Sequence, residues 1–308
     1  MSGAFTREHA LAMGYSAADT RRLVRSGRWI VLRRGVYATA ETVASAKSDP
    51  VQLHALQSAA VLLALSAPYV VAASSAARLY GMKFLNRPTD EVVLLTSYPV
   101  VHGLRRDGYL LRQAPLPPEH VRVLGDLPIT SPARTLLDLA CELPFADSVA
   151  LTDFSLHERL VLQAELEDLL GAAEGRPGIE TARQSFRFAD NRAESPLESA
   201  SRVALHLGGV PAPELQVEFD LPGRRDARVD FFWPGLVGEA DGDSKYEPTD
   251  GRTPLQVIRD EREREFALRD RGLDVVRWGW VDLHRGRVVP RVLAALERVA
   301  ERNRGRAS

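Results

Sequence analysis

Cysteine occurs once in the 308 residues, at Cys141. A single thiol excludes an internal disulfide framework and a cysteine-based zinc site, and it suits a reducing compartment. Long apolar runs are lacking too. The longest, Ala59–Ala73, is broken by Ser66 and Pro68 and is too short to span a bilayer. The opening residues, MSGAFTREH, carry no apolar core of the signal-peptide kind. These absences predict a cytoplasmic protein with no membrane partner. His54, His102, His120 and His157 are scattered without ligand-like spacing, which argues against a histidine-based zinc site. Net charge is only −1, too balanced for a non-specific coat on a polyanion.

The distribution of charge is more informative than its sum. Residues 1–48 hold eight Lys/Arg against three acids, a surplus of five, on an otherwise mildly acidic chain. A small basic module on a neutral body points to local contact with a polyanion. Hydrophobic content of 45% and charged content of 26% are those of an ordinary globular protein. The length suits two or three domains, at about 100–200 residues each.

Within the basic module, Thr6 and Ser16 stand as N-caps of two short helices, stopped by Gly14 and Gly27. In the second helix Leu23 and Val24 face inward, while Arg21, Arg22 and Arg25 face out. Trp29, Val31, Val36 and Tyr37 then suit a hairpin turned at Arg33-Arg34-Gly35. Two short helices and a basic ribbon are the layout of a winged helix-turn-helix. Its second helix enters the major groove, and Arg28, Arg33 and Arg34 meet phosphates. A small domain with ordinary surface arginines is the plainer alternative.

Residues 40–50 are small and polar and end in Asp49-Pro50, as a linker would. The region 49–189 reads as mixed α/β. Helices are expected over Leu53–Leu65 and Ser74–Tyr80, and strands over Glu91–Thr96 and Tyr109–Arg112. A helix opens at Ser131-Pro132, and further helices run to Leu170, where Gly171 interrupts. Arg134 and Asp138, at i and i+4, form a structural pair. The region offers no evident chemistry and reads as a connector or partner-binding body.

From residue 190 to 308 the pattern becomes α-β-β-β-α-β-α, a mixed sheet flanked by helices. Its elements are a helix from Pro196 to Gly208-Gly209, strands at Leu215–Leu221, Arg228–Trp233 and Leu236–Ala240, a charged helix Pro254–Arg271, a strand Asp274–Trp280, and a closing helix Val288–Arg302. Asp230 sits in a strand beside aromatics, where an acid is costly without compensation. A tight turn at Pro234-Gly235 would bring Asp230 and Glu239 to one end of the sheet. Converging carboxylates suit Mg²⁺ or Mn²⁺, and Lys245 could stabilise charge on a phosphate. That is the equipment of a metal-dependent phosphodiesterase. A solvated acidic loop is the competing reading.

Two family resemblances bear on these readings. The stretches GRWIVLRRGVYAT and ITSPARTLLDLA resemble AbiEi-type antitoxins of type IV toxin–antitoxin systems. That resemblance implies DNA binding, self-repression of the operon and a cognate toxin as partner. The landmarks SPLES, RVDFFWP, VGEADGDSKY, RDERERE and VVRW resemble endonucleases of very-short-patch repair, within the PD-(D/E)XK superfamily. This second resemblance implies a C-terminal restriction-endonuclease-like αβββαβ domain. It maps the metal-binding acids onto Asp230 and Glu239, with Glu198 completing the site. The family's lysine position holds Asp241, leaving Lys245 to reach in or Asp241 to serve as a further ligand. Arg259 and Arg262 on the following helix are candidates for flanking phosphates.

The expected fold is therefore a multidomain α+β and α/β chain of three parts. Residues 1–48 form a winged helix-turn-helix, 49–189 a mixed body, and 190–308 a nuclease-like domain. The leading expectation is a Mg²⁺-dependent DNA endonuclease. The alternative is a non-catalytic DNA-binding antitoxin and autorepressor. A homodimer is compatible with either, and a purely protein-binding body is a third possibility.

Overall fold

Thr6 and Ser16 start the first two helices by reciprocal capping. Thr6 accepts the His9 N–H, and His9 Nδ1 accepts the Thr6 N–H, which opens α1 (Arg7–Ala12) directly after β1 (Phe5–Thr6). Ser16 and Asp19 exchange the same pair of bonds at the start of α2 (Ala17–Arg25). A hairpin of β2 (Trp29–Arg33) and β3 (Val36–Thr39) follows, and Gly35 takes the positive φ of +77° that its tight turn demands. The strands form an antiparallel sheet in the order β1-β3-β2. Ala10, Leu23 and Trp29 form the core beneath it, with the Phe5 ring 4.8 Å from Trp29.

The computed structural model describes residues 3–65, 68–86, 88, 91–96, 105–106, 108–220, 227–242 and 253–307. The chain divides into two compact units, Met1–Pro144 with Leu160–Phe186, and Phe145–Arg159 with Arg187–Ser308. The expected linker at 40–50 is instead helical. Thr39 caps α3 (Ala40–Lys47), and Asp49 caps α4 (Pro50–Ala64) with Pro50 in the first turn. Ala46 packs with Ala38 and Leu56, so residues 1–48 share their core with the helix that follows. Small residues read as polar filler were chosen here for close helix packing.

The rest of the first unit is built on a six-stranded sheet. Its elements are β4 (Val70–Val71), α5 (Ala73–Leu79), β5 (Val92–Thr96), β6 (Arg105–Arg106), β7 (Tyr109–Gln113), β8 (Val121–Leu124), β9 (Leu127–Thr130) and α6 (Pro132–Ala140). The strand order is β6-β7-β5-β4-β9-β8. All five residues of β5 are buried, as expected of a strand covered on both faces. The chain then leaves through α7 (Phe145–His157), which belongs to the second unit, and returns with α8 (Gln163–Ala172) and α9 (Ile179–Phe188). Gly171 does not interrupt its helix, because α8 continues through it to Ala172.

The second unit continues with α10 (Pro196–Leu207), β10 (Glu214–Phe219), β11 (Ala227–Trp233), β12 (Leu236–Ala240), α11 (Pro254–Asp270), β13 (Asp274–Trp278), α12 (Trp280–His284) and α13 (Val288–Ala307). The sheet order is β10-β11-β12-β13. The first three strands are antiparallel, and β13 lies parallel to β12. A parallel neighbour needs a crossover, and α11 supplies it. Trp280, expected at the end of a strand, begins α12. Leu197 and Leu205 of α10 and Val292, Ala295 and Val299 of α13 pack on Phe231, Trp233 and Trp278. Leu268 of α11 packs with Val237 and Val229 in a separate cluster. No helix among the described residues is long and apolar enough to cross a membrane.

Candidate nucleic-acid interface and acidic cleft

On α2, Thr20 and Leu23 turn into the core and leave Arg21, Arg22 and Arg25 exposed. Arg22 is engaged locally, 2.8 Å from Asp19 in an i, i+3 pair. Arg21 and Arg25, together with Arg28 after the helix and Arg34 at the hairpin tip, are exposed and form no ion pair with a described residue. Arg33 is held more firmly, its guanidinium 5.1 Å from the centre of the Tyr109 ring. The six expected arginines therefore differ in kind: four stand free in solvent, one is salt-bridged and one is stacked.

The carboxylates of the second unit converge by strand register. Phe231 pairs with Gly238, so one step farther along Asp230 stands opposite Glu239 with its side chain on the same face. Both line a cavity of about 570 Å³ together with Glu194, Glu198, Arg228 and Arg264. Glu198 reaches it from the first turn of α10, where Ser195 is the cap. Its Oε1 accepts the Ser195 hydroxyl at 2.7 Å, and its Oε2 accepts the Glu194 N–H at 3.0 Å and the Gln216 amide at 2.8 Å. Burial raises its pKa above the ordinary glutamate value, and the charge of Asp230 pushes in the same direction.

The other acids are engaged as well. Asp230 Oδ2 accepts the Ala240 N–H at 2.8 Å. Glu239, 2% exposed, accepts from Arg264 Nη2 at 2.6 Å. The same Arg264 group donates to the Arg228 carbonyl at 2.5 Å. Asp241 turns to Arg277 of β13 at 3.3 Å. Among the described residues, no group of three or more His, Cys, Asp or Glu is placed to hold a metal ion. The donor chemistry suits a hard cation, while Asp230 Oδ2 and Glu239 Oε1 each already accept from a protein donor.

Lys245 lies outside the described residues, as does the side chain of Arg262. Arg259 stands on the exposed side of α11 and pairs with Glu263 at 2.8 Å. The sequence reading missed Arg264 and Arg228. Arg264 could have been found from its place in RDERERE, five residues after Arg259, had the packing of that helix been known. Arg134 and Asp138 pair at 2.9 Å as expected, and Arg176 joins them at 2.7 Å on the same carboxylate oxygen.

Comparison with known proteins adds to this geometry. Residues 2–40 match the family model described as "Transcriptional regulator, AbiEi antitoxin", and residues 69–186 match "AbiEi antitoxin C-terminal domain". Neither match extends past residue 186, so the nuclease resemblance of the C-terminal region gains no support from them. Two uncharacterized proteins, from two strains of Mycobacterium tuberculosis, are 34% identical over 180 residues. That alignment covers 58% of this chain and 64% of each relative, so the chain spans somewhat less than two thirds of their length. Two stretches of the chain are thus similar to AbiEi antitoxin domains, one spanning the basic module and the other the six-stranded sheet.

Proposed function

We propose that this protein is a DNA-binding regulator of the antitoxin type, acting on its own operon. Residues 5–39 serve as a winged helix-turn-helix: α2 presents Arg21 and Arg25 to the major groove, and Arg34 on the hairpin meets the flanking backbone. The region 69–186 is the part that faces a cognate toxin, and a two-fold operator would call for two copies of the chain. One observation carries the reading. The stretch matched by the transcriptional-regulator family is the one whose second helix holds Arg21 and Arg25 outward, with no ion pair to a described residue. A reporter driven by the gene's own promoter should be repressed by the intact chain and released by Arg21→Ala/Arg25→Ala. Equal expression with and without the intact chain would sink the reading.

A second reading is favoured by the strand register that sets Asp230 opposite Glu239 in a shared cavity. It takes the second unit as a phosphodiesterase using Mg²⁺ or Mn²⁺, and the ion pair of Glu239 with Arg264 counts against it. Under this reading Mn²⁺ raises the melting temperature of the intact chain, Glu239→Gln abolishes the rise, and supercoiled DNA is nicked. An unchanged melting curve in Mn²⁺ together with uncut DNA contradicts it and leaves the regulator alone.

A further inference from the structure

We propose that the edge of the six-stranded sheet, at Arg106, is a second backbone-contact surface joined to the hairpin tip, and that its partner is the phosphate backbone of the same DNA duplex. The inference rests on reading residues 5–39 as DNA-binding. β6 is an outermost strand of its sheet, and both its residues are exposed. Arg106 pairs across from Tyr109, so the two side chains leave the sheet on one face. Arg33 comes from the β2–β3 hairpin to stack on that same Tyr109 ring, 5.1 Å from its centre. A stacked guanidinium keeps its charge. Arg33 of the hairpin and Arg106 of the edge strand therefore both neighbour Tyr109, and exposed Arg34 follows Arg33 in the chain.

The neighbouring Arg105 shows by contrast what is specific here. It points to the opposite face and is neutralised by Glu91 at 2.8 Å. Arg106 forms no ion pair with a described residue. Charged residues on an edge strand also discourage strand pairing between molecules. That role accounts for a cation at the edge, but not for an arginine of the basic module anchored beside it. Exposed cations that track a backbone weaken binding uniformly when lost, whatever the base sequence.

The test is fluorescence anisotropy on the intact chain with two labelled duplexes, one from its own promoter and one of mixed sequence. Arg106→Ala should reduce affinity by about threefold to tenfold on both duplexes and lower the salt slope by about 0.9, the loss of one phosphate contact. Arg106→Lys should restore most of the affinity, and melting curves of the variants should match the wild type. Unchanged affinity and slope in Arg106→Glu, with Arg21→Ala still weakening binding, would overturn this surface while leaving the regulator reading intact. Failure of the wild type to bind either duplex would remove both.

Discussion

Asp153 is wholly buried on α7, where Arg202 and a backbone N–H hold it. Arg202 of α10 lies at 2.7 Å, the Asp190 N–H donates at 2.7 Å, and Arg202 itself stacks 4.8 Å from the centre of the Phe188 ring. Burial raises the carboxyl above its ordinary 3.8, against the pull of Arg202 and the backbone donor. A carboxyl whose folded pKa is raised binds its proton more tightly in the folded state. Its contribution to stability is complete below pH 3.8 and is lost as pH rises through the folded value. Asp153→Asn cannot titrate, so its melting temperature should gain on the wild type as pH climbs from 3.8 through that value. Melting curves across this range check the sign, and a difference that is flat with pH would contradict it. The acids Asp230 and Glu239 were legible because alternation in a strand names a face. Arg264, the ion partner of Glu239 and 25 positions beyond it, was not.

Elements announce themselves where a cap or a stop is spelled out in side chains. Thr6, Ser16, Ser131-Pro132 and Ser195-Pro196 each start a helix where their chemistry says they should. The hairpin of β8 and β9 escaped notice, because Pro128 inside a short run hides a strand and the turn at Gly125-Asp126 is brief. Helix α3 escaped because its small residues carry little periodic signal and earn their place through packing on Leu56. Gly238 shows how packing can dictate a residue within a strand. A Cβ there would lie 2.6 Å from Trp278 Cη2 and 3.2 Å from Phe231 Cβ. The indole has no room to retreat, since its N–H is bonded to Ser201 at 2.8 Å. Gly238→Ala should therefore cost about 1–3 kcal/mol of stability by overpacking. Urea denaturation reads this as a lower midpoint, and an unshifted midpoint would show that the ring can move aside.

At the scale of the whole molecule, the family matches fall on the first unit and on the α7 segment that the chain lends to the second. The regulator reading asks for exposed, unpaired cations on a helix beside a short hairpin, and residues 17–35 supply them. In the acidic cleft, Arg264 already pairs with Glu239 at 2.6 Å. Salt dependence separates a true polyanion interface from a merely charged surface, because each phosphate contact releases counterions. The most direct measurement is the affinity of the intact chain for a duplex from its own promoter as salt is raised, beside Arg21→Ala/Arg25→Ala. The account predicts tight binding that falls with salt, a preference over mixed-sequence DNA, and weaker binding with less of that preference in the double variant. Equal affinity and equal preference for the two proteins would contradict it.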